Sequence, residues 1–195
     1  MKQFIIIAFF AFVYTTVSAQ DIVHDRTEKG IRTILTAKTN CRSMTDKIVL
    51  QVGLSAIIDE QNQDTTLYFD TYLTAGSEIE VRKGSPLLLK LMDGTIMELS
   101  AATNSKNPVW NSNVIGGQVF RTYDIFPSYS VTAEQLESIC KTGVKKIRID
   151  IIPNMFDKEF KKDKISAALR NYRDALKAAF RKPSANSKEG FREGF

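Results

Sequence analysis

Tyr68, Asp70 and Tyr72 fall at every second position of an alternating segment. If Leu67, Phe69 and Leu73 turn inward, two phenol rings and a carboxylate between them share the outward face of one strand. The two rings could stack on a sugar, since each offers flat apolar surface with a polar tip. Trp110, within the polar run 101–113, is the best single candidate for ligand contact, and Tyr123, Phe126 and Tyr129 follow it. The alternative use of these rings is to cover the sheet or to pack under the final helix.

Other chemistry has less support. Asp59/Glu60, Asp70 and Glu78/Glu80 supply carboxylates for a glycosidase-like hydrolase, but that reaction needs two of them facing across a cleft. His24 is the one histidine, beside Asp25 near the chain start, which rules out a multi-histidine metal site. Gly53-Leu54-Ser55-Ala56-Ile57 lacks the second glycine of a nucleophile elbow, and neither a dinucleotide fingerprint nor a P-loop occurs. The expectation is no catalytic residue, no metal and no cofactor. Cys41 and Cys140 either form a disulfide closing a long loop or remain two thiols, with Cys140 on the apolar face of a helix.

Charge is uneven. Positions 157–195 hold 11 Lys/Arg against 6 Asp/Glu. Arg170, Arg173, Lys177 and Arg181 make one stripe on a helical wheel, fit to meet an anionic envelope component, an acidic glycan or a protein partner. Nucleic acid is not expected, because no recognised binding motif is present.

The elements that must position these groups are mostly strands. Alternation marks strands at 28–39, 47–59 and 65–74, the last two joined by the polar turn Asp59 to Asp64. Residues 20–27 read as an extended lead-in. A short strand at 78–81 precedes 87–92 and 95–100, which flank Asp93-Gly94, the signature of a type I′ hairpin turn. Residues 101–113 read as a loop, and 114–129 as strand with a bulge or turn at Gly116-Gly117. Thr132 and Gln135 form a capping box, with Leu136, Ile139 and Cys140 inward and Gly143 ending the helix. The last strand is 144–152, with Ile147, Ile149 and Ile151 inward, and a final helix runs from an Asp163 N-cap to about Phe180. The fold class is therefore α+β, mostly β: an antiparallel sheet, sandwich-like or partly closed into a barrel, with one short helix and a C-terminal helix packed on it.

The chain opens with Met1-Lys2, an apolar run from Phe4 to Tyr14 and Val17-Ser18-Ala19, the pattern of a cleaved secretory signal at 1–19. The run is too short to span a bilayer, and no later segment is long enough. This predicts a single β-rich domain at 20–182, a flexible tail at 183–195, and a periplasmic, cell-surface or secreted location. Three stretches, LLLKLMDGTIMEL (87–99), YSVTAEQLESICKTGVKKIRIDI (129–151) and FDKEFKKDKI (156–165), together with the Val-Ser-Ala-Gln junction, resemble small secreted proteins of Bacteroides-type gut bacteria that carry no assigned activity. The resemblance implies an extracytoplasmic β-rich domain without known catalytic residues. The expected function is a non-enzymatic binding or structural module, its ligand a glycan or another envelope component, with the hydrolase as the alternative.

Overall fold

The computed structural model describes residues 21–41, 47–106, 109–115 and 118–181. The expected signal at 1–19, the tail at 183–195 and the turn at Gly116-Gly117 lie outside them. Twelve strands build one antiparallel sheet: β1 (Ile22–Glu28), β2 (Ile31–Thr36), β3 (Thr39–Asn40), β4 (Ile48–Asp59), β5 (Asp64–Ala75), β6 (Pro86–Leu91), β7 (Ile96–Ala101), β8 (Val109–Ile115), β9 (Gln118–Ile125), β10 (Ser128–Val131), β11 (Val144–Asp150) and β12 (Met155–Glu159). Helix α1 (Ala133–Thr142) enters between β10 and β11, and α2 (Ser166–Phe180) closes the order. The hydrogen-bonded path is β1-β2-β4-β5-β10-β7-β6-β11-β12, with β3 on β4 and the β8–β9 hairpin on β5. Both ends of this path are edges, so the sheet is open rather than a closed barrel.

Period-two alternation separates its faces. One face carries Ile34, Leu54, Phe69, Leu73, Leu87, Leu89, Leu99, Ile147 and Ile149, all buried in a single core cluster with Leu136 and Ile139 of α1 and Leu169, Tyr172 and Leu176 of α2. Both helices thus pack on this face. The other, open face carries Tyr68, Asp70 and Tyr72.

Several expectations change in detail. Residues 22–27, within the extended lead-in, pair as a strand: Lys29 and Gly30 both take positive φ (52° and 81°) and fold β1 onto β2 with Glu28 opposite Ile31, so the strand expected at 28–39 is divided by a turn. Two positive φ values are the type I′ signature, which had been expected at Asp93-Gly94. There only Gly94 is left-handed (φ 92°), and Lys90 pairs with Ile96 across a longer loop in which the Asp93 carboxylate accepts from Thr95 N. Positions 109–113, read as loop, join 114 and 115 in β8, and β12 went unread. Helix α2 starts at Ser166, yet Asp163 still caps it: its Oδ1 accepts from Ile165 N (3.0 Å) and Ser166 N (3.1 Å), and its Oδ2 from the Ser166 hydroxyl. The capping box of α1 forms as expected, with Gln135 N donating to Thr132 Oγ1 and Thr132 N to Gln135 Oε1.

The core-side residues of β2 are Arg32, Ile34 and Thr36, two of them polar. Each polar one completes a backbone account. Thr36 Oγ1 accepts from Leu54 N (2.8 Å) and donates to Leu54 O (2.9 Å). Arg32 grips Asp25 in a bidentate pair (2.8 and 2.7 Å) and donates to Ala179 O (3.1 Å), a carbonyl of the last turn of α2. That carbonyl also takes the Arg181 N–H at the helix end, and β1, β2 and the end of α2 are joined through one guanidinium.

Two outcomes follow. Arg32→Met removes the donor and leaves Asp25 and the helix end without it; urea denaturation is expected to show a loss of about 2–4 kcal/mol. The hydrogen bond from Arg32 holds the Asp25 carboxyl below its ordinary range, aided by the charges of Arg32 and His24 and opposed by burial. A lowered folded-state pKa gives stability that is present above about 4, the unfolded carboxylate value, and lost as pH falls through the folded one. Urea midpoints taken through this acid range should therefore drop further for the native chain than for Asp25→Asn.

Candidate ligand-binding face

Three strand registers assemble the site. Across β4 and β5, Gln51 lies opposite Tyr72, Gly53 opposite Asp70 and Ser55 opposite Tyr68. On the far edge of β5, β10 sets Ser128 against Asp70 and Ser130 against Tyr68, while β9 sets Asp124 against Thr74. Leu73↔Ile125 and Asp70↔Ser128 keep one register, so Phe126 falls level with Tyr72 and Pro127 with Thr71. Proline has no N–H to give, and the break between β9 and β10 occurs there. The ladder continues through Pro127 O, which accepts from Thr71 N (2.9 Å) and Thr71 Oγ1 (3.2 Å).

Directly opposed residues share a face. The open face therefore reads in rows: Ser55, Tyr68, Ser130; then Gly53, Asp70, Ser128; then Gln51, Tyr72, Phe126. The Tyr72 and Phe126 rings meet edge to face, centroids 4.5 Å apart at 70°. Tyr68, Asp70 and Tyr72 are half-buried, and Phe126 is 48% exposed.

A fourth element reaches this face from β2. Leu35 pairs with Ser55, whereas Thr39 pairs with Val52, so one extra residue is accommodated between them. Such a bulge re-aims side chains. Thr36 turns to the core side, and Lys38 comes across the open face with its Nζ 4.4 Å from the Tyr72 centroid and 5.0 Å from that of Phe126. Gly53 permits the crossing: a Cβ there would stand 3.0 Å from Ala37 O and 3.5 Å from Lys38 Cγ. The lysine stem thus lies over the cross-strand partner of Asp70. Sequence reading found Tyr68, Asp70 and Tyr72 but missed Lys38 and passed over Phe126 as one aromatic among several. The signal for Phe126 was Phe-Pro before an alternating segment; Lys38 depends on a register shift that no periodicity reports.

Electrostatically the site is strained at one atom. Asp70 Oδ1 is buried and has no hydrogen-bond partner among the described residues. Burial pushes the Asp70 carboxyl above its ordinary range, while the Ser128 and Ser55 hydroxyls and the charge of Lys38 pull it back. The Tyr72 phenol is also raised, first by burial and then by its hydrogen bond to Asp124 and that residue's charge.

The remaining candidates lie elsewhere. Trp110 pairs with Tyr123, which pairs in turn with Ala75, a register odd to that of Tyr72; the side chain of Trp110 is outside the described residues. Asp59 caps its own turn through Gln61 N, Asn62 N and Asn62 Nδ2, and Glu80 bonds Arg82. These carboxylates are not brought to Asp70, and neither of two shallow concavities, one lined by Leu88, Lys90, Ile96, Lys146 and Arg148 and one by residues 65–67 and 130–133, has a carboxylate in its wall. His24 is exposed on β1 opposite Leu35. Among the described residues no group of three or more His, Cys, Asp or Glu is placed to hold a metal ion.

Cys41 and Cys140 are not bridged; both are buried free thiols, burial pushing Cys41 up to about 12 and raising Cys140 too. Cys140 lies on the buried face of α1, and Cys41 N donates to Leu50 O of β4. The basic stripe is largely a clamp between helices. Arg170 donates to Cys140 O (2.5 Å), and Arg173 and Lys177 share Glu137 of α1 at 2.6 and 2.9 Å. Arg181 is exposed. Among the described residues no helix is long and apolar enough to cross a membrane. No family model, curated protein sequence or solved structure matches this chain.

Proposed function

We propose that this chain is an extracytoplasmic, non-enzymatic binding module that holds a glycan on the open face of β4, β5 and β10. The observation that carries the reading is the row Tyr68, Asp70, Tyr72 on the face opposite both helices. Its rings are half-buried, oriented by neighbours and still reachable. The rows beside it supply Ser55, Ser128 and Ser130 hydroxyls and the Gln51 amide. A sugar ring laid on a phenol would find donors and acceptors around it at the 4.7–4.9 Å strand spacing. Export supports an extracellular ligand: the opening 19 residues carry the secretory pattern, and the resemblance to secreted proteins of Bacteroides-type bacteria points the same way.

The buried lone pair of Asp70 fits a site kept for binding at the expense of stability. A carboxyl whose folded pKa is raised destabilises the fold at neutral pH, and stability grows as pH falls through that value. Asp70→Asn is therefore expected to raise stability by about 1 kcal/mol in a thermal or urea melt. On a glycan array the same variant, and Tyr68→Ala with Tyr72→Ala, should lose the signal of the native chain by tenfold or more, each ring contact contributing about 1 kcal/mol. An array without any binder, or variants that bind unchanged, would sink the reading.

A further inference from the structure

Resting on the glycan reading, we infer that Tyr72, Phe126 and Asp70 form a cation subsite in which Lys38 is a built-in occupant, and that the ligand presents a charged amine there, as an amino sugar does. The aromatic pair is already arranged edge to face, and a cation already sits over both rings at 4.4 and 5.0 Å. Ammonium groups within about 6 Å of a ring centroid are held by the ring quadrupole, so this geometry suits a primary amine. The acidic neighbours agree: Asp70 lies one row away across from Gly53, and Asp124 accepts the Tyr72 hydroxyl.

The orphan acceptor gives the second reason. Asp70 Oδ1 is shut from solvent and makes no hydrogen bond among the described residues, and the Lys38 stem crosses Gly53, the cross-strand partner of Asp70. Swinging that stem away uncovers the ring surface and opens the approach to Asp70 across Gly53. A ligand ammonium that replaces Nζ gains the same ring contact, and a ligand N–H or hydroxyl reaches an acceptor that Lys38 leaves unused. Lys38 itself is exposed and flexible in type, and the bulge holding its backbone need not move when its side chain does. In the free protein the lysine keeps the rings covered; in the complex it returns to water.

Binding is measured by calorimetry on the full chain at near-neutral pH, with a glucosamine tetrasaccharide, its N-acetylated form, a neutral glucose tetrasaccharide and n-butylammonium as probes. Lys38→Met, which keeps the stem and removes the charge, is expected to bind the glucosamine tetrasaccharide and n-butylammonium about three- to thirtyfold more tightly than the native chain, the range of one cation–π contact. The acetylated and neutral sugars should change little, and adding Asp70→Asn should erase the gain. Lys38→Gln serves the same purpose should the Met variant melt early. Native and variant chains that bind acetylated and amino sugars alike would overturn the amine subsite while leaving a glycan site standing. Butylammonium binding in Lys38→Met with no sugar bound by any chain would keep the subsite and discard the glycan. Loss of all amine binding on removing the Lys38 charge, with an unchanged melt, would show that Lys38 is a contact and not an occupant.

Discussion

Twelve consecutive cross-strand pairs, from Ile48↔Ala75 to Asp59↔Asp64, tie β4 to β5, and both faces of the molecule depend on that register. Side chains alternate with a period of two, so a slip of one residue would send Phe69 and Leu73 outward and bring Tyr68, Asp70 and Tyr72 into the core. The turn guards against it. Asp59 binds two backbone N–H groups and the amide of Asn62 in its own loop, and Gln63 takes a left-handed conformation (φ 54°) that closes the hairpin. The core guards against it from the other side, because Leu54, Phe69 and Leu73 are almost completely enclosed. Loop chemistry and burial specify the same pairing, which is the agreement across levels that makes a register unique.

Onto this hairpin the remaining strands add in two directions with different polarity. Toward β1 the core side becomes polar, at Arg32 and Thr36, because the end of α2 and an interrupted ladder leave carbonyl and amide groups that need partners. Buried polar residues are tolerated only when so matched. Toward β11 the core side is carried by Leu87, Leu89, Ile147 and Ile149, and the cations of α2 turn to Glu137 of α1. The α1–α2 contact is ionic at its rim through Glu137, Arg173 and Lys177, which are partly or largely exposed. Exposed pairs of this kind contribute little stability; the buried Leu136, Ile139, Leu169 and Leu176 hold the helices, and the ion pairs orient them.

Much of this was legible in the residues. The paired strands at 48–59 and 64–75, the α1 caps and the inward isoleucines of β11 follow from alternation and capping chemistry, which are local. Other features were hidden for physical reasons. Lys29-Gly30 takes two positive φ values although lysine seldom adopts one, so its turn lacks the usual Asn or Asp signature. The Asp-Gly pair that does carry the signature is pulled into a longer loop by the pairing of Lys90 with Ile96. Strand β12 is short and charged, as an edge strand tends to be, and its membership is decided by β11 rather than by its own pattern. Arg170, Arg173 and Lys177 share a stripe on a helical wheel, but a wheel has no second helix in it: Arg173 and Lys177 meet Glu137, and Arg170 meets the Cys140 carbonyl.

The same limit explains why the site was half visible. Tyr68, Asp70 and Tyr72 belong to one strand, and their common face is a consequence of period two alone. Their neighbours come from β4, β9 and β10 and from the bulge after β2, and each of these depends on a register set elsewhere. The bulge is the most instructive case. Thr36 and Lys38 flank one displaced residue, and the hydroxyl of Thr36, anchored on both backbone groups of Leu54 inside the core, fixes the point from which Lys38 leaves. Gly53, the next residue of β4, must lack a side chain for that departure to clear the sheet. The position of a charge on the open face is therefore set by a hydrogen bond on the buried one, transmitted through two residues of backbone. A change in the core at Thr36 would therefore reach the Tyr72 and Phe126 rings through Lys38.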